Sequence, residues 1–543
     1  MLEILADVGT VATDARAAAA AGIMHAMQTP PGPRRMRWFV VPAVTVGLVI
    51  GALGAGLAQL PLARLVPFFP DDAFFYLKVA HHAALGHGST FDGINATSGY
   101  HPLYLGVLTL LSMAVPLEGA RGLLAVVWLD TALAVAWVWV MVALAGTLAW
   151  SGPLRWVLLA ALLPLVAIGD YGMEVNLLLP LAWGFVWLAH GNAGGWRPAA
   201  VAGLVGALAC LSRLDSILFV GAVTLGVLVA RGDGRWPVRR SALVTALLLV
   251  GPSVAALLAH ALVNHLVFGR ATTVSSWLKV GLQPDAAGVG GRFAMNPQTI
   301  ATLGCAALAL ATLARAALSP TPVRVRLAGL GLWVVAYLAV MSTLLRGGME
   351  SWYFPLPFSV GVVLGLDLLR DVLAGRSAAI RNGLFGLVAL ACVALTALEV
   401  RYFASRDWYV RDGVSMGQWI DAHLPSDARI YQVDNSGVVG YFANRPVVNG
   451  DGLINSWDYQ RQLREGHLTD YFRQHALGYL VYDEFVEGAE LQVLVPLWNA
   501  PALTVTFAVP PRRLAVSGRF ALFELRPDEV SVTVPGPSAF RGW

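Results

Sequence analysis

The stretch FFPDDAFFYLKVAHHAALGHG (68–88) sets two adjacent carboxylates, Asp71 and Asp72, between apolar runs. Pro70 before the acids, and Gly86 and Gly88 after the run, predict a helix of about four turns. At about 100° per residue, Asp71, Phe75, Lys78 and His82 fall on one stripe of it. The plain reading is that the acids cap the helix and meet its dipole. One cap needs one acid, and an acid at a membrane edge is also a functional candidate, as a general base or a cation ligand.

The membrane follows from composition. The chain has 543 residues, of which 57% are hydrophobic and 13% charged, and its mean hydropathy is +0.64. Soluble domains carry about 25% charged residues, so this is a polytopic α-helical membrane protein. The net charge of +4 does not point to nucleic acid, because excess Lys and Arg in such chains sits in cytoplasmic loops. Cys210, Cys305 and Cys392 lie far apart in apolar segments, so neither a disulfide framework nor a cysteine metal site is suggested. No glycine loop of the nucleotide-binding kind is present.

Apolar segments of spanning quality fall near 38–60, 121–149, 154–169, 174–190, 198–212, 215–231, 241–266, 298–318, 326–346, 353–373 and 380–399. Arg34, Arg35 and Arg37 hold the N-terminus inside, and RGDGRWPVRR (231–240), VRVR (323–326) and Arg370, Arg376 and Arg381 mark further inner loops. An odd number of crossings must then separate the outer loop at 61–101 from the inner loop at 231. The run at 102–117 therefore does not cross, and its length suits an interfacial helix. About eleven spans remain. Residues 1–37 form a cytoplasmic tail, 38–399 the membrane domain with its first outer loop and interfacial helices at 61–120, and 400–543 an extracytoplasmic domain. In that last part ARIYQVD, RPVVNG, LGYLVYDE, LTVTFAV and RFALFEL predict strands, and MGQWIDAHL and SWDYQRQLREGHLTDYFRQH predict helices, which together give a small α/β domain.

Outward-facing polar groups are sparse. They include His101 at the start of the interfacial run, Glu174 in GDYGMEVNL, and Arg213 and Asp215 in LSRLDS. FGRATTVSSWLKVG supplies Arg270 and Lys279, and RGGMESWYFP supplies Arg346, Glu350 and Tyr353. Arg213 and Asp215 can simply pair, and the aromatic residues can simply form an interfacial belt. Lys279 and Arg346 are also donors suited to phosphate. His81, His82, His87 and His101 fit no standard zinc spacing, so no metal site is assigned to them.

The loop DDAFFYLKVAHHAALGHGSTFDGINATSGYHPLY resembles the first periplasmic loop of GT-C glycosyltransferases, nearest to the bacterial branch that includes the mycobacterial arabinofuranosyltransferases. GMEVNLLL, LSRLDSIL, FGRATTVSSWLKVG, ESWYFP and LPSDARIYQVDNSGVVGYFANRPVVNGDGLINS follow in order, so the resemblance covers roughly 38–460. FGRATT lacks the proline expected after FG, and Val175-Asn176 stands where relatives tend to carry Thr-Pro. The resemblance implies a multi-pass enzyme of the bacterial inner membrane. It would move a hexosyl or pentosyl group from a polyprenyl-phosphate donor to a cell-envelope glycan, lipid or protein at the outer face of the bilayer. Carried onto this chain, it implies Asp71 or Asp72 as general base, alone or with a divalent cation, with Asp71 narrowly favoured by its stripe. It implies Lys279, Arg213 and Arg346 as donor-phosphate cations, and Lys78, His101, Glu174 and Tyr353 as further substrate contacts. NGDGLINS with Asp451 invites acceptor binding, but a structural lid is the favoured role of the outer domain. A transporter or flippase of polyprenyl-linked sugars is the alternative, and it would place its polar residues at mid-membrane in broken helices.

Overall fold

The structure is a computed structural model that describes residues 33–150, 152–167, 170–191, 195–231, 240–280, 297–345, 349–405, 408–483, 485, 491, 493–497 and 500–533. Most of the tail expected over 1–37, the basic loop at 232–239 and Arg346 lie outside the described residues.

Each of the eleven apolar segments forms a helix: Pro33–Ala58, Gly119–Thr147, Gly152–Ala167, Val175–Gly191, Trp196–Ser212, Ile217–Arg231, Arg240–Phe268, Pro297–Leu318, Pro322–Leu344, Pro355–Val372 and Ala378–Ser405. Among the described residues, seven helices are long and apolar enough to cross a membrane. Gly152–Ala167, Val175–Gly191 and Trp196–Ser212 are apolar but shorter, at 16, 17 and 17 residues. Pro355–Val372 carries Asp367, Arg370 and Asp371 in its last turns. These charges are paired: Arg315 reaches Asp367 at 2.8 Å and Arg324 reaches Asp371 at 2.9 Å, tying three helix ends together.

The helices pack through small residues, as helices must where lipid gives no hydrophobic drive for association. A Cβ at Gly203 would collide with the carbonyl of Leu248, and one at Gly329 would lie 2.7 Å from the carbonyl of Ala222. The interfacial run is a helix, Pro102–Ala114, of 13 residues. That is about 20 Å long, too short for a hydrocarbon core of about 30 Å. It buries Tyr104, Leu105 and Leu108 and exposes Leu110 and Met113. The helix Asp71–Ala84 packs on it, with the Tyr76 and Tyr104 rings edge to face at 5.3 Å.

The C-terminal part holds two sheets. The larger has strand order β2-β1-β3-β7-β6, from Ile430–Gln432 (β1), Val447–Asn449 (β2), Tyr479–Tyr482 (β3), Arg512–Ser517 (β6) and Phe520–Glu524 (β7). β1 runs parallel to both β2 and β3, while β7 is antiparallel to β3 and β6. Helix Ser436–Phe442 connects β1 to β2, and Trp457–Glu465 and Leu468–Gln474 precede β3, which makes the first half α/β as expected. The second sheet, β4-β5-β8, is antiparallel and comes from Val493–Leu497, Ala500–Phe507 and Val530–Thr533. The five strands read from the sequence correspond to β1, β2, β3, β5 and β7. β4, β6 and β8 complete the sheets. Tyr431, Val448, Tyr459, Leu463, Phe472 and Leu480 form a separate core beneath the larger sheet.

Candidate active site

Asp71 and Asp72 open the 71–84 helix, but neither caps it: the N-cap is Pro70, and no side chain bonds back to the first turn. Asp71 instead caps a different helix. Its Oδ2 accepts from Gly437 N–H and its Oδ1 from Val438 N–H, both at 2.9 Å, at the start of the 436–442 helix. Seven residues on, Lys78 donates to the carbonyl of Gly440 and, at 3.5 Å, to that of Arg445. Carboxyl oxygens thus meet the N–H groups at the start of this helix, and Lys78 meets carbonyls at and beyond its end. Two glycines let the helices approach, since a Cβ at Gly437 would strike the carbonyl of Asp71 and one at Gly440 the Phe91 ring. Burial pushes the Asp71 carboxyl up to about 8, against the pull of its two backbone N–H partners. Burial pushes Lys78 down to about 8.

Asp72 turns the other way, into a cavity of about 230 Å³. Tyr76, His101, Glu174, Arg213, Lys279 and Tyr353 line the same cavity. Lys279 Nζ lies 3.8 Å from Asp72 Oδ2. It is carried by the short helix Val274–Lys279, which Thr273 caps by accepting from Ser276 N–H, and which Ser98 anchors through Val274 N–H. Burial raises the Asp72 carboxyl above the usual carboxylate range, Lys279 pulls it back, and Glu174 adds to the rise. Burial disfavours the Lys279 charge, yet Asp72 and the groups behind it more than offset this, so its pKa is raised.

Arg213, also in the lining, is held by two carboxylates. Its Nε reaches both oxygens of Asp215 at 3.1 and 3.2 Å, its Nη1 reaches Glu174 at 3.1 Å, and its guanidinium stacks 4.0 Å from the Tyr353 ring centre. His101 Nδ1 accepts from Leu214 N–H at 3.4 Å, and its Nε2 faces Glu174 at 3.8 Å. Burial, with Arg213 behind it, pushes His101 down to about 3, so the ring is neutral. The cavity also has apolar lining, from Leu218, Val340, Met341, Leu344 and Leu345. The outer domain closes it with Leu453 and Ile454. Gly99 permits that closure, because a Cβ there would strike the Leu453 carbonyl.

The structure thus brings together Asp72, His101, Glu174, Arg213, Lys279 and Tyr353 of the expected site. Asp71 and Lys78 do not line this cavity. Their helical stripe is real, but it faces the outer domain. Lys78 instead lines a second cavity with His82, Asp92, Glu118 and Arg445. Ser275 and Ser276 on the Lys279 helix also line the cavity, and only their place in VSSWLK beside Lys279 signals them in the sequence. The sequence alone does not single out Asp434, which is hydrogen-bonded to Asp451 and within electrostatic range of Asp72 and Lys279. Both Asp71 oxygens accept from backbone donors, while Asp72 lines the cavity. Among the described residues no group of three or more His, Cys, Asp or Glu is arranged to hold a metal ion.

Residues 401–530 match the family described as "Domain of unknown function (DUF8728)". No curated protein matches the chain. Among solved structures, ArnT from Cupriavidus metallidurans bound to undecaprenyl phosphate is 13% identical, with a TM-score of 0.53 over 90% of this chain and 98% of that one. The Archaeoglobus fulgidus oligosaccharyltransferase, tethered to an acceptor peptide with the NVT sequon, is 12% identical, with a TM-score of 0.54 over 82% of this chain and 69% of that one. Both are GT-C glycosyltransferases. The chain has the GT-C fold. Arabinosyltransferase EmbB from Mycobacterium smegmatis is a weaker match, 13% identical with a TM-score of 0.39 over 90% of this chain and 55% of that one. Within this GT-C fold, the cavity lies where the 71–84 helix, the 274–279 helix and the outer domain meet above the apolar helices.

Proposed function

We propose that this chain is a glycosyltransferase of the outer face of a bacterial inner membrane. Its donor is a polyprenyl-phosphate sugar and its acceptor a hydroxyl of a cell-envelope glycan, lipid or protein. The observation that carries this reading is the mixed lining of the cavity. Asp72, Lys279 and His101 line it together with the apolar Leu218, Val340, Met341 and Leu344. A prenyl chain suits the apolar lining, while phosphate and sugar suit the polar groups. The ArnT structure, of the same fold, is described with undecaprenyl phosphate bound.

In the proposed reaction Asp72 takes the proton of the acceptor hydroxyl. The hydroxyl oxygen bonds to the anomeric carbon of the sugar, and the bond from that carbon to the phosphate oxygen breaks. Polyprenyl phosphate leaves with the electron pair, and direct displacement inverts the sugar carbon. Burial helps Asp72, because a carboxyl held above its usual range is a stronger base once ionised. Lys279 is the cation proposed to meet the departing phosphate, with Arg346 a second one read from the sequence. Arg213, held by Glu174 and Asp215, is proposed to hold the cavity wall and Tyr353 in place. The transporter reading would draw on polar groups within the spans. Asp130 is such a group, but it accepts from Gly172 N–H at 2.7 Å and from Asn176 at 3.2 Å, which gives it a structural role.

The test is transfer of radiolabelled sugar from synthetic short-chain polyprenyl-phosphate donors by the purified full chain. Asp72→Asn is expected to lower turnover by about 10²–10⁴-fold with donor binding kept. A variant that turns over at the wild-type rate sinks the assignment of Asp72. Movement of donor across vesicles without transfer sinks the enzyme reading.

A further inference from the structure

A cavity of about 280 Å³ lies across the 274–279 helix from the Asp72 site, and its lining includes Arg270, Trp277, Trp457, Arg461, Arg464 and Glu465. Two distant segments build it. Arg270 and Trp277 follow the 240–268 helix, and the others belong to the 457–465 helix of the outer domain. The Trp277 and Trp457 rings meet edge to face at 5.1 Å. The Arg464 guanidinium stacks on Trp277 at 3.6 Å, and that of Arg270 lies 5.8 Å from the Trp457 ring centre. Arg461 is paired with Asp458. Besides that pair, Arg270, Arg464 and Glu465 are the charged groups of the lining.

Stacking uses the flat face of a guanidinium. The N–H donors lie in its plane, at the edge, in the fork that suits phosphate oxygens. The indole N–H of Trp457 is buried and has no acceptor among the described residues. Depth then decides the kind of phosphate. Arg270 stands two residues beyond Phe268, the end of an apolar helix whose exposed Leu262, Val263, Leu266 and Val267 lead up to the cavity. That is the level of head groups, where Trp and Arg meet the bilayer surface.

We propose that this cavity binds the phosphate of an anionic lipid head group of the outer leaflet, with the acyl chains along the exposed face of the 240–268 helix. The site joins the outer domain to the bilayer through Trp457 and Arg464. It also braces the helix that carries Lys279, because Trp277 is on one side of that helix and Ser276 and Lys279 are on the other. A neutral or acidic glycan is a poorer occupant: Arg464 covers the Trp277 face on which a sugar ring would stack.

The test is native mass spectrometry of the delipidated full chain in neutral detergent. The probes are dioleoylphosphatidylglycerol, dioleoylphosphatidylcholine and inorganic phosphate. The anionic lipid is expected to be retained about tenfold more tightly than the zwitterionic one. The double variant Arg270→Gln, Arg464→Gln is expected to lose that preference with its thermal midpoint unchanged. If the double variant does not fold, Arg270→Gln alone carries the test, since Arg270 is exposed. Equal retention of the two lipids, or an unchanged preference in the variant, overturns the proposal. Displacement of the lipid by millimolar inorganic phosphate overturns the lipid as the source and makes the ligand a soluble anion.

Discussion

Asp71 accepts the backbone N–H of Gly437 at 2.9 Å, although 366 residues separate them. Its neighbour Asp72 lines the cavity instead. The two acids thus divide two tasks: one docks the outer domain and the other faces the chemistry proposed here. Docking comes first in the physical order, because Leu453 and Ile454 of the outer domain complete the cavity wall.

Breaking the clamp is therefore expected to loosen the outer domain without removing the base. Asp71→Ala leaves two helix N–H groups unpaired, at about 1–3 kcal/mol each. Gly437→Ala reaches the same end by sterics, because its methyl collides with the Asp71 carbonyl and no charge is altered. Hydrogen exchange of the 436–442 amides is expected to speed up in both variants, with donor binding at the Asp72 site falling less. Amides that stay as protected as in the wild type would show that this contact does not hold the domain.

The same clamp predicts a pH dependence with a minimum. The Asp71 carboxyl sits at about 8 when docked, against an ordinary 3.8, so between those values only the docked state keeps the proton. Docking then weakens as pH rises from about 4 to about 8. Lys78 sits at about 8 when docked against an ordinary 10.5, so above pH 8 the docked state has released a proton that the undocked state still holds. Docking then strengthens again with rising pH. Thermal midpoints across pH 5–10 are expected to pass through a minimum near 8. Asp71→Asn removes the falling limb and Lys78→Met the rising one. A midpoint that climbs steadily over pH 5–8 contradicts the burial of Asp71.

The membrane architecture was legible because hydropathy is a local property: each of the eleven apolar segments forms a helix. The short strands in ARIYQVD and LGYLVYDE were legible for the same reason. The division between Asp71 and Asp72 was not. A helical wheel assigns side chains to faces of their own helix, and Asp71 does share a stripe with Lys78. What that stripe meets is a helix 366 residues away, which no periodicity reports. The glycines of SGVVGYF are its trace in the sequence, and they gain meaning only beside Asp71 and Phe91. Arg213 shows the opposite case, since its pairing with Asp215 was readable from two residues' separation, while Glu174, 39 residues away, emerged only in three dimensions.

The last prediction concerns Asp72 and Lys279, 3.8 Å apart. Burial raises the Asp72 carboxyl and Lys279 lowers it. If Asp72 is the base, kcat/KM rises with pH on an acid limb set by this group in the free enzyme. Removing the Lys279 charge takes away the lowering influence and leaves burial unopposed. Lys279→Gln is thus expected to move the acid limb to higher pH, by about one unit or more, and to weaken donor binding because the phosphate loses a cation. Asp71→Asn is expected to leave the limb where it is, since Asp71 faces Gly437 and not the cavity. Measuring kcat/KM for sugar transfer from pH 4 to 9 in the wild type and both variants separates the two acids. An acid limb that follows Asp71→Asn and ignores Lys279→Gln would return the base to Asp71.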